Sequence, residues 1–176
     1  MQEFQRYNEL ENRLYEMEKV SQAFQVQPFD IYLLGGAACL LAGYTARATR
    51  DFDLLDQHYS STLAKVLVFL RDYDLLEYES TPIPPSYKDR CQKLSQFTYL
   101  NVFVLSAEDI IVSKLIRLNE RDLEDLDEMM PKANQQLILQ LINEVLQRSD
   151  LYDTKKEGLR RNIAIFKEKY HVSDFD

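Results

Sequence analysis

Residues 31–55, IYLLGGAACLLAGYTARATRDFDLL, constrain this chain more than any other stretch. An apolar run ends in two glycines. A run of small and apolar residues follows, and a polar loop leads to a second apolar run carrying Asp51 and Asp53. The pattern predicts a strand over 30–35, a turn at Gly35 and Gly36, a short helix to residue 44, a loop, and a strand over 51–56. Side chains at i and i+2 of a strand share a face. Asp51 and Asp53 therefore project two carboxylates to one side, flanking Phe52. Two carboxylates held that close repel unless a cation lies between them. A glycine turn that opens a helix offers backbone N–H groups to an anion. An anion cradle ahead of a carboxylate pair points towards nucleotide handling.

The neighbouring polar residues fit the same geometry. Arg47, Thr49 and Arg50 stand just before the carboxylates, where a triphosphate would lie; the plainer reading is a polar loop. Further on, Lys114, Arg117 and Arg121 are spaced three and four apart, which sets them along one helix face. Asp122 and Asp125 read either as a second acidic pair or as a salt-bridged helix N-terminus.

The remaining periodicities outline an α+β chain. Residues 3–27 read as one amphipathic helix with Tyr7, Leu10, Leu14, Met17 and Phe24 on its stripe, ended by Pro28. Residues 61–73 predict a helix burying Leu63, Val66, Leu67 and Leu70. Residues 76–80 predict a third strand, and TPIPPSYKDR a loop. The β-branched and aromatic alternation of residues 97–105 predicts a central strand. Ser106, followed three residues later by Asp109, reads as a variant capping box opening a helix over 106–118. Helices over 121–130, 135–147 and 152–170 complete the chain, the last with Tyr152, Leu159, Ile163, Phe166 and Tyr170 on one stripe. The expected fold is a small mixed β-sheet flanked by helices, with an N-terminal helix and a C-terminal helical bundle. The core is expected over 1–130 and a helical extension packed on it over 131–176, as one compact unit.

Composition excludes several classes. The net charge of −8 disfavours non-specific DNA binding, because an acidic surface cannot replace phosphate counterions; a basic partner protein suits it better. No apolar run reaches membrane-spanning length and no secretory signal is visible, so a cytoplasmic location is expected. Cys39 and Cys91 lack metal-ligand or disulfide spacing. His58 and His171 have no nucleophile or ligand cluster nearby in sequence, which leaves no signature of nucleophilic hydrolysis.

The segment GGAA…GYTARATRDFD, together with LSAEDIIVSKLIRLNERDLEDLDEM (residues 105–129), resembles the nucleotidyltransferase superfamily, closest to the AbiEii/MenA-type toxins and the small uncharacterised nucleotidyltransferase-like proteins related to them. The resemblance spans roughly residues 29–130. It implies a Mg²⁺-dependent enzyme that moves a nucleoside monophosphate from an NTP to an RNA, protein or small-molecule acceptor. It implies Asp51 and Asp53 as metal ligands, and Gly35, Gly36, Arg47, Thr49 and Arg50 as phosphate contacts. It also implies Lys114 as a catalytic group at the nucleotide, with Asn101, Arg117, Arg121, Asp122 and Asp125 in support. The family's third carboxylate falls on Asn101 in the strand over 97–105, and Asn is a poorer ligand for a hard cation. Asp109 and Glu79 are substitutes without a spacing argument. Among the toxin relatives the acceptor can be tRNA, which implies a toxin–antitoxin or phage-defence setting with a basic antitoxin-like partner. The alternatives are a catalytically silent member of the fold that acts through partner binding, and a helical adaptor. A homo-oligomer is compatible with either.

Overall fold

The computed structural model describes residues 2–173, with side chains from residue 6 onward. The chain forms two compact units. The first is built from the residues up to Leu76 together with Cys91–Leu105, the second from Glu77–Arg90 together with the chain from Ser106 onward.

The first unit holds α1 (Gln2–Ala23), β1 (Asp30–Leu34), α2 (Gly35–Leu41), β2 (Phe52–Leu55), α3 (Ser61–Leu67), β3 (Tyr73–Leu76), β4 (Gln92–Lys93) and β5 (Asn101–Val104). Its sheet runs β3-β2-β1-β5-β4. β1 and β2 are antiparallel, with Leu34 opposite Asp53. β1 and β5 are parallel, from Asp30 beside Asn101 to Leu33 beside Val104. β2 and β3 are parallel, with Asp53 beside Asp74. β4 closes the other edge antiparallel to β5. The α+β class expected from the sequence is the one found.

The core follows the periodicities. Leu10, Leu14 and Met17 of α1 are fully buried, as are Ile31, Leu33, Phe52, Leu54, Leu55, Val102 and Val104 of the sheet. Phe24, assigned to the α1 stripe from sequence, lies past the helix end and is 76% exposed. The strand expected over 97–105 forms only from Asn101, because the amides of Thr98, Tyr99 and Leu100 donate to the buried Glu18 carboxylate of α1 instead of to a neighbouring strand. The helix expected over 61–73 stops early. α3 tightens into a 3₁₀ turn at Val68–Leu70, and Arg71 turns the chain at φ +69°. The third strand therefore starts at Tyr73, ahead of the 76–80 expected, and Tyr78–Ser80 is a 3₁₀ turn.

The second unit holds 3₁₀ turns at Tyr78–Ser80 and Pro85–Arg90, and α4 (Ala107–Lys114), α5 (Glu120–Met129), α6 (Gln135–Gln147) and α7 (Asp153–Tyr170). Side chains cap the starts of three helices. Ser106 Oγ accepts from Asp109 N–H, Asn119 from Asp122 N–H and Asn134 from Leu137 N–H; each satisfies an amide the helix itself cannot. Leu126, Met129, Ile138, Leu141, Ile142, Val145, Leu159 and Phe166 fill the interior. Arg148 ties this unit together. Its guanidinium stacks 3.6 Å from the centre of the Tyr78 ring. It also donates to the carbonyls of Tyr78, Thr81 and Ile83 and to Asp150.

Candidate functional site

β1 delivers the chain to Gly35, whose φ of +69° lies in the left-handed region that favours glycine. The antiparallel pairing of Leu34 with Asp53 brings β2's acid against this turn. The fit is close. A Cβ on Gly35 would overlap Asp53 Oδ2 and fall 2.9 Å from its Cγ. Gly36 is closely packed for a different reason. Its backbone has no positive φ, but a Cβ there would lie 3.2 Å from Arg47 Nη2 and 3.2 Å from Thr49 Cβ. The two glycines thus face the acid on one side and the basic loop on the other. The structure brings together five residues expected from sequence: Gly35, Gly36, Arg47, Thr49 and Asp53.

Asp51 and Arg50 are exposed at the start of β2, and Asp53 is half-buried. Buried Phe52 separates the two aspartates, as strand alternation requires. α2 has seven residues, Leu34 supplies no side-chain cap, and the first turn contains no acid. The donor chemistry at this end of the sheet is carboxylate oxygen, which suits a hard cation. Among the described residues no group of three or more His, Cys, Asp or Glu side chains could hold a metal ion by itself. Mg²⁺ is commonly held by one or two carboxylates, with water and substrate phosphate completing its shell, so the Asp51–Asp53 pair fits it.

Asn101 does not belong to this arrangement. It pairs with Asp30 at the start of β1, whereas Gly35 follows the other end. Five residue steps of strand separate the two, about 16 Å at the usual rise. Asn101 donates to Asp30 Oδ1 at 2.9 Å and accepts from Lys93 Nζ at 2.8 Å. Asp74 is the acid that the sequence reading missed. It lies on β3 in register with Asp53. Neighbours in register on parallel strands share a face, so Asp74 extends the acidic row from β2 to β3. In YDLL, Tyr73 ends the helix expected over 61–73, Leu76 opens the strand expected over 76–80, and Asp74 falls between them in no expected element.

Lys114, Asp122, Asp125 and Arg117 form a cluster of their own in the second unit. Lys114 Nζ donates to Asp125 at 2.7 Å and to Asp122 at 3.2 Å, and Arg117 donates to Asp122 at 3.2 Å. Lys114, Asp122 and Asp125 are buried. Asp122 also completes a capping box with Asn119, so the salt-bridged N-terminus is the arrangement that forms. Lys114, Arg117 and Arg121 do not share one helix face. α4 ends at Lys114, Leu118 turns the chain at φ +49°, and exposed Arg121 begins a new helix.

Asp109 is fully buried beneath a two-pronged Arg90 guanidinium, at 2.7 and 3.0 Å, and also accepts the Ser106 hydroxyl. Its carboxylate thus turns to the Ser106 side chain and not to the Ser106 backbone, as a capping box would require. Burial pushes its carboxyl above the usual range, against the pull of the Arg90 and Ser106 hydrogen bonds. Glu79 lies in the Tyr78–Ser80 turn of the same unit.

A glycine turn seated on an acid-bearing antiparallel strand, with a basic loop at the second glycine, is the arrangement that the resemblance to nucleotidyltransferases implies. Residues 6–172 match the model of the family described as nucleotidyltransferase of unknown function (DUF6036), and the chain belongs to that family. No curated protein and no solved structure matches the chain. No helix among the described residues is long and apolar enough to cross a membrane.

Proposed function

We propose that this chain is a Mg²⁺-dependent nucleotidyltransferase that moves a nucleoside monophosphate from an NTP to a hydroxyl acceptor. The observation that carries the reading is the seating of Asp53 against Gly35, with Arg47 and Thr49 meeting at Gly36. Gly35 has no room for a side chain against Asp53, and Gly36 keeps the backbone close to Arg47 and Thr49, where backbone N–H groups and the basic loop can meet a phosphate together. Arg47 and Thr49 contribute a charge-assisted and a neutral donor to the same phosphates, and Arg50 adds charge at the edge.

Asp51 and Asp53 are the residues that would hold Mg²⁺, and Asp74, in register with Asp53 on β3, adds negative charge beside them. When bound, the ion neutralises triphosphate charge and polarises the phosphorus under attack. The reaction forms a bond from the acceptor oxygen to the α-phosphorus and breaks the bond from that phosphorus to the bridging oxygen, releasing pyrophosphate. The hydroxyl proton passes to the nearest carboxylate of the row. Lys114 acts from its aspartate cage as a structural group. The resemblance to AbiEii/MenA-type toxins favours an RNA acceptor such as tRNA and a basic antitoxin-like partner.

Calorimetric titration with ATP, GTP, CTP and UTP, with and without Mg²⁺, tests the reading. At least one triphosphate is expected to bind in a metal-dependent way, and Asp51→Asn or Asp53→Asn to abolish that binding and any transfer. Absence of metal-dependent binding to all four would leave a fold that acts only through partners.

A further inference from the structure

Arg13 of α1 is buried, yet it satisfies no partner on its own helix except Glu9. Its Nη1 donates to the carbonyl of Arg50 at 2.9 Å and to that of Leu70 at 3.4 Å. It also stands 3.8 Å from Asp72 Oδ2. These contacts are not scattered. Arg50 is the residue before Asp51, and Leu70 precedes the Arg71 reversal that leads into β3. Phe52 N–H donates to the Asp72 carbonyl at 3.0 Å, where β2 and β3 begin to pair. One guanidinium therefore clamps the starts of both acid-bearing strands. Its Nε is buried without a partner, a cost to stability accepted where Nη1 must reach two fixed carbonyls and Nη2 the Glu9 carboxylate. Its positive charge also stands among Glu9 and Asp72, at the end of the sheet where Asp51, Asp53 and Asp74 add their own repulsion.

We propose that Arg13 is a positioning residue for the metal–nucleotide site: it sets the offset of β2 against β3 and hence the placement of Asp51, Asp53 and Asp74. The inference rests on the nucleotidyltransferase reading and adds to it a residue 38 positions upstream of the first acid. Lysine at this position keeps the charge but offers a single nitrogen, which cannot serve the two carbonyls and Glu9 from separate prongs as Nη1 and Nη2 do.

The experiment uses the full chain, Mn²⁺ as a paramagnetic stand-in for Mg²⁺, and ATP, with binding read by electron paramagnetic resonance and calorimetry. Arg13→Lys is expected to weaken Mn²⁺–ATP binding about tenfold or more, the usual effect of disturbing residues that orient metal ligands. The weaker binding of ATP without metal is expected to match that of the wild type, because the glycine turn and Arg47 are untouched. A merely destabilised fold would weaken both. Arg6→Gln, which removes a half-buried pair with Glu9 on the same helix, serves as control and is expected to change neither. Should Arg13→Lys fail to fold, Glu9→Gln loosens the guanidinium's other hold and is expected to give a smaller weakening of the same kind. Unchanged Mn²⁺–ATP binding in the variant, or equal loss with and without metal, overturns the role of Arg13 alone. Wild-type protein that binds none of ATP, GTP, CTP and UTP with Mn²⁺ overturns the enzyme reading, and the role of Arg13 with it.

Discussion

Gly35 is where a single residue type decides both conformation and chemistry. Any side chain there meets a left-handed backbone and the Asp53 carboxylate at once. Gly35→Ala is expected to lower stability by about 1–3 kcal/mol, the cost of a forced backbone conformation, and to displace Asp53. Urea unfolding would report the first effect and loss of metal-dependent triphosphate binding the second. Asp74→Asn separates the register argument from the sequence motif. It is expected to weaken Mg²⁺-dependent nucleotide binding while leaving the melting temperature within a few degrees of the wild type, since Asp74 is exposed. The glycines and the Asp51–Asp53 pair were legible in the sequence because a turn and a strand each impose a fixed spacing. Asp74 was not legible, because its place beside Asp53 depends on which strands pair, and pairing is set by contacts distant in sequence.

At the level of elements, local signals set the boundaries well where one face is continuously buried. α6 occupies the residues its apolar period indicates, Gln135–Gln147. Boundaries moved where a single backbone reversal or a distant side chain intervened. Arg71, at positive φ, cut short the helix expected over 61–73, and α4 ended at Lys114, four residues before the Leu118 reversal at which the helix expected over 106–118 ends. Glu18 drew off the amides of three residues that otherwise read as strand. β4 has two residues, too few to show any alternation. The link between α4 and α5 rests on buried Lys114, so Lys114→Met strands two buried carboxylates with one exposed arginine. Breaking a buried pair in this way costs about 3–5 kcal/mol. Thermal melting is expected to drop sharply, and the stabilising effect of Mg²⁺–nucleotide on the remaining folded protein to persist. Loss of nucleotide binding without loss of stability would return Lys114 to the site.

Across the whole molecule, several tyrosines share a titration behaviour. Burial pushes the Tyr32 phenol up to about 12, with the Asp30 carboxylate adding to it. Burial likewise raises Tyr7, Tyr78 and Tyr170, the last also through its hydrogen bond to Asp127. These groups stay protonated in the folded state after the unfolded chain has lost its protons. The unfolded state then binds fewer protons, so stability falls as pH rises. The decline is expected to begin as pH passes the ordinary tyrosine value near 10 and to continue to about 12 for Tyr32. Denaturation monitored by circular dichroism between pH 8 and pH 12 would check the slope, and Tyr32→Phe should reduce it.

The interleaving of the two units also has a history in synthesis. β1 lies between β2 and β5 in the sheet, yet β5 is not complete until Val104. A nascent chain would therefore carry β1 with one flank open while some seventy residues follow, roughly 3–15 seconds at ordinary translation speeds. That open flank is apolar and unpaired, the kind of edge that recruits foreign strands. A ribosome paused before Val104 would thus hold a half-built sheet, and aggregation during expression should respond to what slows the ribosome in that window more than to changes further downstream.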